Sequence, residues 1–226
     1  GTRWVYGGHE MKVLSILIEK ITNLNLHDYL TKVLFKPLKM ASTGFYVEPK
    51  NMARFSSYYL YENGKQTLMD NAPTSRQYFQ LPAICNGSGG IVSSAQDLAN
   101  FYGMILNYGT FKGKQILRPQ TVELLIYNQI AGINDRGWAV AGFGLGVGVN
   151  QGRLPLTLVT TLVTGPDTEF TAGKTKSIFW QGSPYNTRFL IDFDKQLISI
   201  FLTQNAPFTY LDLMRKFEKI VNKNVN

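Results

Sequence analysis

Residues 188–205 read RFLIDFDKQLISIFLTQN, two β-branched and aromatic runs joined around Asp194-Lys195. Runs so closely joined pair most simply as an antiparallel hairpin, and that requires a sheet in the second half of the chain. GFGLGVGVN at 142–150 adds to it, because its glycines alternate with Phe143, Leu145, Val147 and Val149 at strand period. It reads as a tight or twisted strand rather than a ligand loop. A smaller hairpin is expected at YYLYENGKQTLM, residues 58–69, where Asn63-Gly64 is the strongest short turn signal in the chain.

The remaining segments have helical period. From His9 to Asn23, Met11, Leu14, Leu17, Ile18 and Ile21 recur at three-and-four spacing, which predicts a core-packed helix. A shorter helix is expected from Leu26 to Phe35, stopped by Pro37. Ser94 followed by Asp97 reads as a capping box before a stripe of Leu98, Phe101 and Ile105, with Gly109 as the terminator. Pro119 opens a helix to about Tyr127, and Leu211, Met214, Phe217, Ile220 and Val221 mark an amphipathic helix at the C-terminus. The expected class is α+β, an antiparallel sheet with helices packed on its faces plus a helical region. Residues 1–135 form the mainly helical part with its small hairpin, and 136–226 the sheet and closing helix, within one domain spanning 1–226. There is no internal repeat or low-complexity stretch, and TLVTGPDTEFTAGKTKS at 161–177 is the expected mobile loop.

Composition excludes several function classes. A net charge of +8 would suit an anionic partner, but the 23 Lys and Arg are scattered with no run of five, so a solvated basic surface is expected and no nucleic acid. Cys85 is the single cysteine, which rules out an intrachain disulfide and a cysteine metal site, and it reads as a buried thiol. His9 and His27 stand at no metal spacing, and no GxSxG elbow accompanies them. Gly173-Lys174-Thr175 lacks the preceding glycine of a phosphate loop, since Thr168 stands there. No apolar run approaches the roughly 18 residues of a membrane span.

GTRWVYGGHEMKVLSILIEKITNLNLHDYLTKVLFKPLKMASTGF, residues 1–45, resembles the tyrosine-bearing segment of class C β-lactamase-like serine hydrolases. The likeness continues through NGSGGIVSSAQDLANFYGMILNYGTFKGKQIL at 86–117 and through the two strand regions, collinearly over nearly the whole chain. That family contains β-lactamases, D-Ala-D-Ala peptidases and esterases. The resemblance implies an acyl-serine mechanism on an amide or ester, no metal or organic cofactor, and a small-molecule or peptidoglycan-like substrate. It implies a periplasmic or secreted location, with the leader upstream. Tyr6 then corresponds to the proton-transferring tyrosine of the family, set just before a helix N-terminus.

The same resemblance exposes departures. Gly8 stands where many relatives carry an Asn that holds substrate. The third motif, on a strand lining the site, falls at Gln181-Gly182-Ser183 of SIFWQGSPYNTRF, with neutral Gln181 in place of a cation. Pro184 follows, and a proline has no N–H to serve in an oxyanion hole. Lys174-Thr175-Lys176 is the rival assignment for that motif. No serine has a lysine three positions later, and only Thr171 with Lys174 shows the spacing. The nucleophilic Ser-x-x-Lys is therefore expected upstream of Gly1, and the chain by itself is expected to be inactive. A noncatalytic scaffold that binds a peptidoglycan-like or acyl-amide ligand is the alternative.

Overall fold

The computed structural model describes residues 2–71, 78–133, 142–151, 175–182, 185–206 and 211–224. They form two compact units, one of Tyr6–Met104 with Phe111–Ile116, the other of Gly1–Val5, Ile105–Thr110 and Leu117–Asn226.

The first unit opens with helix α1, His9–Thr22, which Asn23 terminates in the left-handed region at φ 55°. Helix α2, Leu26–Leu30, begins where the Asn25 side chain accepts the Asp28 N–H at 2.8 Å. It runs directly into a π-helical turn over Thr31–Phe35, so the helix expected between Leu26 and Phe35 is present but changes its winding before Pro37. Strands β1, Tyr58–Glu62, and β2, Lys65–Asp70, pair antiparallel. Asn63 and Gly64 both have positive φ, as a primed two-residue turn requires. Helix α3, Ala95–Leu106, leads out of the unit. A small core of Leu26, Phe45 and Cys85 lies under Ile18 and Leu30.

Only half of the expected capping box at α3 forms. Ser94 Oγ accepts the Asp97 N–H at 3.2 Å, but the Asp97 carboxylate turns away from the helix start. It is buried and accepts hydrogen bonds from the Ser42 N–H and the Thr43 hydroxyl, each at 2.7 Å. Asp97 thereby ties the chain after α2 to the start of α3. Asp97→Ala leaves the Ser42 amide without its acceptor and the Thr43 hydroxyl with only Ser93 Oγ, and a loss of about 1–3 kcal/mol in urea unfolding is expected. A value within about 0.5 kcal/mol of wild type would show that the carboxylate has no such duty.

Two short strands, β3, Thr110–Phe111, and β4, Lys114–Gln115, follow α3. In the second unit, α4, Pro119–Ile126, has Pro119 at its first turn. The sheet contains β5, Gly142–Phe143, β6, Gly148–Asn150, β7, Ser177–Gly182, β8, Thr187–Asp192, and β9, Leu197–Phe201, in that spatial order and antiparallel throughout. The hairpin foreseen around Asp194-Lys195 is β8–β9, with its turn at residues 193–196. GFGLGVGVN, expected as one strand, is instead the hairpin β5–β6. Gly144 cannot carry a side chain because a Cβ there would overlap the Leu125 carbonyl oxygen, and Gly146 turns with φ 83°. The loop expected at 161–177 lies outside the described residues up to position 174.

Helix α5, Leu211–Asn224, packs on the sheet, with the Phe217 and Phe201 rings 5.4 Å apart. The other sheet face carries Trp180, whose ring meets Phe143 edge-on at 5.5 Å, and Phe143 in turn meets Trp4 at 5.0 Å. The stripe expected on α5 needs one correction, because Ile220 is 62% exposed while Glu218 is buried. A buried arginine explains the exchange, since Arg188 on β8 lies 2.5 Å from Glu218 and each side chain is under 5% exposed.

A larger correction concerns α1. Of the five residues expected to be core-packed, Met11 is 38%, Leu14 49%, Leu17 50% and Ile21 72% exposed, and only Ile18 reaches the core. The buried flank is polar. Ser15 is buried, and Ile18, Glu19 and Thr22 are half-buried beside it.

Candidate active site

Tyr6 lies two residues ahead of Gly8, the N-cap of α1. Among the described residues no side chain caps that end, and Glu10 is the acidic residue of the first turn. The free N–H groups at such an end carry partial positive charge, which favours an oxyanion or a phenolate nearby. Glu10 works against it. Its carboxylate curls over Gly7 so closely that a Cβ at Gly7 would overlap it. The helix end and the Glu10 carboxylate thus act in opposite senses on an anion at this turn. Tyr6 is 49% exposed.

Gly8 and Tyr6 share this turn, and the segment Asn86–Gly90 is docked against it. The Gly87 N–H donates to Ser15 Oγ at 2.9 Å, and Ser15 Oγ donates to the Met11 carbonyl at 2.8 Å. A Cβ at Gly87 would overlap both Ser15 Oγ and the Met11 carbonyl oxygen, so only glycine allows this approach. Ser88 sits next to Gly8. Its hydroxyl donates to Asn86 Oδ1 at 2.8 Å, and a Cβ built on Gly8 would lie 3.5 Å from Ser88 Oγ, an ordinary contact. Crowding at the Cβ position does not by itself force glycine at position 8. Sequence reasoning did not single out Ser15, Asn86 or Ser88; for Asn86 and Ser88 the cluster of turn formers in NGSGG marked only a turn.

Gln181 and Gly182 end β7 in the other unit. Gln181 pairs with Arg188 and Gly182 with Thr187 across β7–β8. Residues paired across a ladder point to one face, and Gln181 Oε1 accepts a hydrogen bond from Arg188 Nη1 at 3.4 Å. Arg188 is itself held by Glu218, so the Gln181 amide is oriented toward the α5 side of the sheet. Gly182 belongs to the opposite face, where a Cβ would press on Thr187 Oγ1. Ser183 and Pro184, like Thr171 and Lys174, lie outside the described residues. Lys176, of the rival motif, stands one residue before β7 and reaches 4.0 Å from Asp194 in an exposed pair.

Cys85 is buried in the core of the first unit, and burial raises its thiol above the ordinary range. It is a packing residue. His27 stacks its ring against Tyr46 at 5.3 Å. Among the described residues, no three His, Cys, Asp or Glu side chains gather where they could hold a metal ion, and no helix is long and apolar enough to cross a membrane.

Comparison with known proteins relates this arrangement to others. Protein Rv1367c of Mycobacterium tuberculosis (strain H37Rv) is 27% identical over 222 residues, covering 94% of the chain but 51% of its own length. The N-acetylmuramyl-L-alanine amidase of Bacillus subtilis (strain 168) is 24% identical over 139 residues, 55% of the chain and 31% of the amidase. The chain thus spans about half, or less, of the curated relatives it matches. Among solved structures, the simvastatin synthase of Aspergillus terreus, in its LovD6 mutant form, superposes with TM-score 0.74 at 21% identity, over 100% of this chain and 56% of the synthase. The octameric penicillin-binding protein homologue of Pyrococcus abyssi gives TM-score 0.67 at 17% identity, over 99% and 44%. These likenesses show the β-lactamase/transpeptidase-like fold. Residues 1–221 match the family described as Beta-lactamase, and the chain belongs to that family.

Proposed function

We propose that the parent protein is a serine acyl hydrolase acting on an amide or ester, that Tyr6 moves the nucleophile's proton, and that the Ser-x-x-Lys lies outside these 226 residues. The observation that carries the reading is Tyr6 itself, half-exposed at an uncapped helix start inside a family match over residues 1–221. The named activity of one relative supports it, since an amidase operates on an acyl group. In this mechanism the serine oxygen attacks the carbonyl while its proton passes toward Tyr6, the leaving group departs with a proton, and water then cleaves the acyl-serine. No metal or organic cofactor enters these steps. The substrate is a β-lactam, a D-Ala-D-Ala peptide or a small ester, met in the periplasm or outside the cell.

Two observations favour a noncatalytic scaffold instead: Gly8 offers no side-chain amide, and the Gln181 amide is bonded to Arg188. Intact mass spectrometry of the natural gene product, incubated with a serine-reactive phosphonate and with a penicillin, decides between them. The hydrolase reading requires a mass above 25.4 kDa and a covalent adduct on a serine outside the present chain. A longer protein that forms no adduct with either reagent supports the scaffold.

A further inference from the structure

Helix α1 is amphipathic in the wrong sense for a surface helix. At 100° per residue, Val13, Leu14, Leu17 and Ile21 fall within an arc of about 100°. All four are exposed, from 49% at Leu14 to 72% at Ile21. The opposite flank, which faces the rest of its own unit, carries Ser15 and Glu19. Ser15 bonds the Gly87 N–H, and Glu19 Oε1 accepts the Leu26 N–H at 2.9 Å. Ile84 and Ile91, either side of the docked NGSGG segment, are 63% and 47% exposed and add to the apolar surface. A surface helix ordinarily buries its apolar arc and wets its polar one. Here the polar flank is tied down by side-chain hydrogen bonds and the apolar flank is open. An exposed apolar stripe at this spacing fits the apolar stripe of another helix.

We propose that the outer flank of α1 is the seat of an apolar helix from the part of the β-lactamase-family domain that relatives contain and these 226 residues do not. The length of the relatives argues for this occupant. Protein Rv1367c and the simvastatin synthase are each about twice as long as the region matched. A second copy of the chain is the poorer candidate, because it would bring a net charge of +8 against another +8. The inference rests on the reading that the parent polypeptide is longer, but it concerns packing and not the chemistry of Tyr6. It also gives α1 a purpose in the site, since the helix whose first turn follows Tyr6 would be clamped from outside by the added half.

Cysteine labelling tests it in the natural gene product. Leu17→Cys and Ile21→Cys are placed on the open flank, and Lys12→Cys, exposed on another side of α1, is the control. Cys85 contributes little background, being buried with a raised thiol pKa. Peptide-resolved mass spectrometry follows maleimide labelling against the urea-unfolded protein. Leu17→Cys and Ile21→Cys are expected to react at least about tenfold more slowly when native, with Lys12→Cys within about threefold of its unfolded rate. Two variants guard against one of them failing to fold. Native rates at positions 17 and 21 equal to that at 12 would overturn the proposal. So would protection accompanied by a doubled mass in sedimentation equilibrium of a gene product no longer than this chain, because a second copy would then close the flank. Labelling is indifferent to turnover, so a parent protein without hydrolase activity leaves the result readable.

Discussion

Turnover of p-nitrophenyl acetate by the whole parent protein is expected to fall at least about a hundredfold in Tyr6→Phe, with KM little changed, because a positioned acid or base contributes about 10²–10⁴-fold. Phenylalanine keeps the ring and deletes only the hydroxyl. Tyr6 is 49% exposed, and a melting temperature within about 2 °C of wild type is the control that lets a lost rate be read as chemistry. The pH profile supplies the second readout. If Tyr6 handles the proton, the limb of the rate profile that reports its ionisation disappears in the variant instead of merely scaling down. Wild-type turnover in Tyr6→Phe would sink the assignment of Tyr6, even in a protein that forms the serine adduct. The surroundings state what else the phenol requires. Glu10 over Gly7 offsets the helix end, so the proposed mechanism calls on the lysine of a Ser-x-x-Lys for the positive charge beside Tyr6.

Much of the fold was legible because local signals agreed with it. Asn63-Gly64 and the break at Asp194-Lys195 are turns whose chemistry is contained in a few residues, and both hairpins formed there. GFGLGVGVN misled because alternation of glycine with apolar residues is equally compatible with one strand and with two short strands around a glycine turn. The carbonyl of Leu125, distant in sequence, decided the matter. On α1 the period was read correctly, but four of the five residues it marks are exposed and only Ile18 reaches the core. Hydrophobic spacing marks a face that is apolar, but it does not say what, if anything, covers it. Glu218 could not have been found at all, because a glutamate on an apolar helix face has meaning only once Arg188 is known to face it. At the site, Tyr6 and Gly8 owed their recognition to collinear resemblance, whereas Ser88 beside them has no motif of its own.

The Arg188–Glu218 pair carries the largest expected effect on stability. Burial pushes the Arg188 guanidinium down and the Glu218 carboxyl up, and in each case the partner's charge opposes the shift. The two lie 2.5 Å apart, but as a charge contact without well-aligned hydrogen bonds, and Arg188 Nη2 has no acceptor among the described residues. Geometry of that quality makes the pair expensive to break and unremarkable to keep. Glu218→Ala leaves a buried cation facing the Phe179 ring, 6.0 Å from its centroid, and the side-chain oxygen of Gln181. A loss of about 3–5 kcal/mol in urea unfolding is expected, since removing one partner strands the other in a dry interior. Arg188→Met together with Glu218→Leu should recover most of it, because two apolar side chains of similar bulk remove the stranded charge along with its partner. A double variant as unstable as Glu218→Ala would mean that α5 needs the ion pair itself to seat on β8. The pair also bears on the site. With the Arg188 guanidinium gone, the Gln181 amide loses its donor, so the double variant is the one in which Gln181 becomes free to turn toward a ligand.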